Sequence, residues 1–262
     1  MTICMEGTRP STAVPQPADA PEIVAAMRAL PGLDAQVLVP TVKQAERALQ
    51  AGAQHLAFVL SVSESHNRGN VRRSPAESAE EYGRIVQLLP RTMPIRLNVA
   101  TAFDCPHEGQ VAADATLRLL DRLVPLAPHA EIALCDTTGR VTPNRVRALF
   151  ATAFELLPHV KAWAFHGHDT YGQGTTNTFA AWKAGVRAFD ASVAGLGGCP
   201  FAPGATGNVA TEDLLWMFEG MGVATGVDLS ALVAVAIEVE NLPGAQTGGR
   251  VRDALTAQMR GG

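Results

Sequence analysis

His166-Gly167-His168-Asp169 closes an apolar run that begins near Trp163. Residues i and i+2 of a strand point to the same side, so both imidazoles can reach one metal ion. A helical stretch follows, then a second β-like run from Ala188 to Val193. That run feeds the loop Ala194-Gly195-Leu196-Gly197-Gly198-Cys199-Pro200, whose glycines adopt positive φ freely and which presents one thiol, Cys199. Pro203 to Asn208 comes next and ends in a carboxamide. Each residue alone has a plainer account: a core histidine, a small inert cysteine, a turn asparagine. Two imidazoles, a thiol and a carboxamide, each just past a strand, describe an active site better than a core.

The elements that must position these groups follow a regular order. Met1 to Met5 reads as a short strand, Ser11 to Ala20 as a loop and Pro21 to Leu30 as a helix. Strands are then expected at Ala35–Pro40, His55–Val62, Ile95–Thr101, Glu131–Cys135, Trp163–Phe165 and Phe189–Val193. Helices are expected at Val42–Gly52, Pro75–Leu89 with Ser74 as N-cap, Val111–Val124, Pro143–Leu157, Gly172–Ala184 and Thr211–Met221. Short apolar strands alternating with helices indicate a parallel sheet with helical crossovers. The candidate residues follow strand ends, where TIM barrels place their chemistry. An open doubly wound sheet is the competing architecture, but no Gly-x-Gly-x-x-Gly follows the first strand. Ser230 to Glu240 reads as one further helix, then a Pro-Gly break and a polar tail. The domain reading is a barrel over residues 1–229 and a helical extension over 230–262.

Composition narrows the function. Apolar residues make up 47% of the 262, ample for a core, and 18% are charged. A net charge of −4 offers no basic surplus for phosphates and speaks against nucleic acid as a partner. No run of about 18 apolar residues suggests a membrane span, and the N-terminus has no signal-peptide pattern. The cysteines at 4, 105, 135 and 199 show no Cys-x-x-Cys pairing, as expected of a cytoplasmic protein with reduced thiols.

HGHDTYGQ, residues 166–173, and GLGGCPFAPGATGNVATED, residues 195–213, resemble the signature of the 3-hydroxy-3-methylglutaryl-CoA lyases. These are metal-dependent, carbon–carbon bond-cleaving TIM barrels, and the resemblance runs from near Met1 to about Leu229. Related isopropylmalate and citramalate synthases share the His-x-His and a downstream Asn but not the GLGGCP loop. The resemblance implies an α/β fold, a TIM (β/α)8 barrel, with a divalent cation, Mg²⁺ or Mn²⁺, held by His166, His168 and Asn208. It also implies an acyl-CoA substrate cleaved to acetoacetate and acetyl-CoA. Candidate catalytic residues are Cys199, matching the proton-transferring loop cysteine, together with His166, Asp136 and Glu212. Two of these keep alternatives: Asp136 is a functional aspartate or a turn residue, and Glu212 a functional glutamate or a first-turn carboxylate favoured by the helix dipole. Arg68, Arg72 and Arg73 either meet CoA phosphates or decorate an exposed basic loop. A homodimer is expected.

Two departures stand out. Seven strands are found where a barrel needs eight, and the family's opening Arg-Asp-Gly is absent; Arg252-Asp253 is followed by alanine. The chain is therefore expected to be N-terminally truncated, with about seven βα units, lacking roughly 30–40 residues if one unit is an eighth of a barrel. Asn98 stands where the resemblance implies a tyrosine, which bears on substrate identity. The alternatives to an active hydroxymethylglutaryl-CoA lyase are a catalytically impaired remnant, or a related aldolase or synthase acting on another acyl-CoA or keto acid.

Overall fold

The computed structural model describes residues 2–6, 20–197 and 207–261. Strand and helix alternate: β1 (Thr2–Glu6), α1 (Ala20–Arg28), β2 (Asp34–Leu38), α2 (Val42–Gln50), β3 (His55–Ser61), α3 (Glu64–Val71), α4 (Pro75–Leu88) and β4 (Ile95–Ala100). A small hairpin of β5 (Asp104–Cys105) and β6 (Gly109–Gln110) precedes α5 (Ala113–Leu123). Then come β7 (Glu131–Asp136), α6 (Pro143–Leu156), β8 (Trp163–Gly167), α7 (Gly174–Ala184), β9 (Ala188–Asp190), α8 (Thr211–Gly220), α9 (Leu229–Glu240) and α10 (Val251–Gly261). The main sheet has seven strands in the order β1-β2-β3-β4-β7-β8-β9, and the pairs β1–β2, β2–β3, β3–β4, β4–β7 and β8–β9 are parallel. Sequence order equals spatial order, as successive right-handed βα units require.

The chain divides into two compact units, and the division cuts through β7 and β8. The first holds residues 1–102, 111–134 and 154–163. Its strands are apolar almost throughout, since a parallel strand is covered on both faces: six of the seven residues of β3 are buried. Phe58, Leu60, Leu97, Leu120 and Leu123 are fully buried there, and the Phe58 and Tyr82 rings pack 5.2 Å apart. The second unit holds residues 103–110, 135–153 and 164–262. Phe165 meets Phe103 and Phe150 edge-on at 6.2 and 6.3 Å, and Val209, Leu214 and Phe218 form a further buried cluster with Trp182 and Phe189.

Four local expectations need correction. The basic stretch around Arg68, read as an exposed loop, forms α3. Its polar sequence has no apolar periodicity, yet Ser63 caps it through the His66 N–H and Arg72 ends it in the left-handed region at φ 57°. The hairpin β5–β6 was not expected, because two-residue strands carry no alternation to read. The run from Phe189 to Val193 stops as a strand at Asp190 and turns into a 3-10 segment, Val193–Gly195. The polar tail forms α10, capped from α8 by Asp213 Oδ1, which accepts the N–H groups of Arg250 and Val251, both at 2.9 Å.

Candidate functional site

All the described site residues lie in the second unit. β8 carries His166, and His168 follows one residue after its end, so the two rings sit on one side with centroids 5.1 Å apart at 78°. Each ring is oriented through Nδ1. The His168 Nδ1–H donates to the Asp136 carbonyl at 2.9 Å, and since a carbonyl can only accept, the tautomer is fixed. The His166 Nδ1–H donates to Asp190 Oδ2 at 3.0 Å, from the residue directly opposite it in the β8–β9 register. Both Nε2 lone pairs are thereby left for a ligand, the arrangement that outer hydrogen bonds give to metal-binding histidines. Burial, then the neighbouring His166, pulls the His168 pKa down to about 4, opposed by the Asp136 carbonyl. It is neutral at physiological pH, as a metal ligand must be.

Asn208 is brought to this pair by backbone pairing. An antiparallel bridge links His168 and Asn208, with Asp169 N–H donating to Gly207 O and Val209 N–H to Gly167 O, both at 3.2 Å. The approach requires glycine at 207: φ is 123°, and a Cβ there would collide with the backbone oxygens of Gly195 and Gly197. The Asn208 Nδ2 donates to Leu196 O at 3.0 Å, while Oδ1 is buried with no hydrogen-bond partner. A buried acceptor without a donor is costly and suits a cation. Two imidazole nitrogens and an amide oxygen are a donor set that fits a divalent cation. Among the described residues no group of three or more His, Cys, Asp or Glu is arranged to hold a metal.

Asp136 ends β7 and is fully buried. Its Oδ1 accepts the Gly139 N–H at 3.0 Å, and its Oδ2 has no partner. Burial chiefly, with the nearby Asp104 charge adding, raises its pKa to about 6 against the backbone N–H bonds that oppose the rise. Glu212, in the first turn of α8, is also buried; its Oε2 accepts the Ala194 N–H at 3.1 Å and its Oε1 has no partner. Glu212 is thus a first-turn carboxylate of α8 that also takes the backbone N–H of Ala194. Cys199 lies outside the described residues.

Two acidic side chains escaped the sequence reading. Asp190 orients His166; its only signal was a carboxylate ending an apolar strand. Asp104 is 7% exposed, takes the Thr138 hydroxyl at 2.9 Å and pairs with Arg140 at 3.3 Å, steadying the turn after Asp136. It sits in a stretch with no periodicity, and nothing in its spacing pointed to it. The basic segment belongs to the first unit: Arg68 pairs with Glu64 at 2.6 Å and Arg73 reaches Pro40 O at 3.4 Å. There Asn98 Oδ1 accepts from Arg96 Nε at 3.0 Å.

Comparison with known proteins gives this arrangement its relatives. Residues 12–239 match the HMGL-like family. The chain is 42% identical over 200 residues to the (R)-citramalyl-CoA lyase of Chloroflexus aurantiacus, covering 76% of this chain and 62% of that protein. It is 39% identical over 246 residues to the hydroxymethylglutaryl-CoA lyase of Pseudomonas mevalonii, covering 94% of this chain and 81% of that one. Among solved structures, an HMG-CoA lyase from Acinetobacter baumannii in complex with coenzyme A and 3-methylmalate matches with a TM-score of 0.87 and 36% identity, over 95% of this chain and 81% of that one. These likenesses and the parallel strand pairs among the described residues bear out the expected TIM-barrel class, and no helix among the described residues is long and apolar enough to cross a membrane. The chain belongs to the HMGL-like family, among whose members it stands beside the hydroxymethylglutaryl-CoA lyases.

Proposed function

We propose that this protein is a divalent-metal-dependent lyase that cleaves the carbon–carbon bond of a 3-hydroxy-3-methyl acyl-CoA, with hydroxymethylglutaryl-CoA as substrate. The observation that carries the reading is the set of committed and uncommitted atoms at one place. His166 and His168 have spent Nδ1 and keep Nε2, while Asn208 Oδ1 is buried and unpaired beside them.

His166, His168 and Asn208 would hold Mg²⁺ or Mn²⁺, which when bound supplies Lewis-acid stabilisation to the substrate's hydroxyl and carboxylate oxygens. Asp136 then takes up the tertiary hydroxyl proton at Oδ2; a carboxyl with a pKa of about 6 is mostly ionised at pH 7 yet basic enough to hold that proton. As the C–O bond becomes a carbonyl, the electron pair of the carbon–carbon bond passes to the carbon next to the thioester. Cys199 delivers a proton to that carbon, giving acetyl-CoA and acetoacetate. Asp190 and the Asp136 carbonyl keep the imidazoles in place throughout, and Glu212 holds the loop stem. The reading includes a cytoplasmic setting and a homodimer.

A second reading, cleavage of (R)-citramalyl-CoA, is favoured by the 42% identity to the Chloroflexus enzyme; Asn98 in place of the implied tyrosine departs from the hydroxymethylglutaryl-CoA lyase pattern without selecting this substrate. Purified protein with Mg²⁺ or Mn²⁺ should release acetyl-CoA from one of the two thioesters, and EDTA should abolish the release. Turnover of citramalyl-CoA alone would select the second reading. No cleavage of either thioester, with metal present, would overturn both.

A further inference from the structure

The turn that follows Asp136 is tied to the hairpin β5–β6 by one carboxylate. Asp104 Oδ1 accepts the Thr138 hydroxyl at 2.9 Å and an Arg140 Nη1–H at 3.3 Å. The Thr138 oxygen in turn accepts the Arg140 N–H at 3.3 Å. One oxygen therefore fixes two side chains and, through Thr138, the backbone between them. The Asp104 and Thr138 side chains are buried, so water cannot stand in for either. Asp104 is itself held in place. It pairs with Gln110 across the hairpin, and the Phe103 carbonyl before it accepts from Arg145 Nη2 of α6 at 2.8 Å. After it, Cys105 Sγ takes the His107 and Glu108 N–H groups at 3.4 Å and closes the bend.

The same turn sets two groups of the site. The Gly139 N–H donates to Asp136 Oδ1 at 3.0 Å, which aims that carboxylate, and the Asp136 carbonyl takes the His168 Nδ1–H at 2.9 Å, which aims that ring. Gly139 lies close against the chain that carries His168. Its φ is 70°, and a Cβ there would stand 3.0 Å from Thr170 N and 3.1 Å from His168 O, so the turn has little room to shift without moving that backbone.

We propose that Asp104 is a positioning residue for this site: by gripping Thr138 and Arg140 it keeps the 137–140 turn where Gly139 aims the Asp136 carboxylate and the Asp136 carbonyl aims the His168 ring. Without Asp104 the buried Thr138 hydroxyl has lost its acceptor, and the turn must rearrange to find another. The kinetic consequence rests on the lyase reading above; the effect on the turn does not.

Two measurements on the full chain separate these. In Asp104→Ala, exchange of the Gly139 amide in the metal-free protein should speed up by about tenfold or more, while β3 amides stay unchanged. Asp104→Asn keeps an oxygen for Thr138 and Arg140, and its Gly139 exchange should stay within about threefold of wild type. With the substrate that the wild type turns over, Asp104→Ala should lower kcat by about tenfold with KM within about threefold, and Asp104→Asn should restore most of it. Where Asp104→Ala does not fold, Thr138→Val, which keeps the side chain's shape and removes its hydroxyl, should give the same two changes. In the double variant the second substitution should add little, since both remove one contact. Wild-type exchange at Gly139 in folded Asp104→Ala overturns the proposal. So does an unchanged kcat in an active enzyme whose turn has loosened, or an asparagine as damaging as alanine. Accelerated Gly139 exchange in a protein whose wild type cleaves neither thioester refutes the lyase reading and leaves the brace standing.

Discussion

Asp136 and His168 have opposite proton preferences and share one hydrogen bond. Burial raises the Asp136 pKa to about 6, so its contribution favours folding at low pH and is lost as pH climbs from about 4 to 6. Burial lowers the His168 pKa to about 4, so its contribution is present above about pH 6.5 and is lost as pH falls toward 4. The slopes oppose each other over nearly the same window, each worth roughly 3 kcal/mol, and the metal-free wild type should owe almost no pH dependence there to this pair. Asp136→Asn removes one of the two. Urea unfolding of that variant at stepped pH should show stability rising by roughly 3 kcal/mol between pH 4 and 6.5; a flat profile would mean His168 is not desolvated as described. The proposed metal ligands are checked separately. Saturating Mn²⁺ should raise the wild-type Tm, as any ligand selective for the folded state does, by about 2.7 kcal/mol of added stability at a hundred times Kd. His168→Ala and Asn208→Ala should each lose most of that rise, and an undiminished rise would remove that residue from the site.

At the scale of single elements, α4 shows how local chemistry sets a boundary. Ser74 accepts the Glu77 N–H at 3.1 Å, Glu77 reaches back to the Ser74 N–H at 2.7 Å, and Pro75 opens the helix. Ser74→Ala should cost about 1 kcal/mol in urea unfolding, and no measurable loss would show that the box is redundant. Gly207→Ala should be far worse, since its Cβ meets backbone oxygens that cannot turn aside. This contrast explains what the sequence made legible. Ser74-Pro75 and the apolar runs of β3 and β7 announce themselves through local pattern, as did His166, His168 and Asn208 through motif spacing. Asp190, Asp104 and the Asp213 cap act through partners 24, 34 and 38 positions away, and no local period encodes such pairings. The helix α3 was missed for another reason: its caps are local, but a polar helix offers no apolar stripe to read.

Across the whole molecule, the cysteines should report which surfaces are open. Cys105 and Cys135 are 0% and 5% exposed, so alkylation of the native protein should label Cys199 before either, with metal and a substrate analogue slowing it. Simultaneous labelling of all three would show that the loop is no more accessible than the core. Among the described residues, β1 and β9 each have one neighbour in the sheet. Free parallel edges invite pairing with other chains, and light scattering of the isolated chain should find species larger than a monomer. A strict monomer would mean that both edges are covered. The pairing of β8 with β9 has a further consequence. Asp190 faces His166 only because three residues of β9 stand in one register. A slip of a single residue would turn that carboxylate to the opposite face and set a phenylalanine or an alanine against the histidine. A misthreaded molecule would then leave the His166 ring without the carboxylate that fixes its tautomer and orientation.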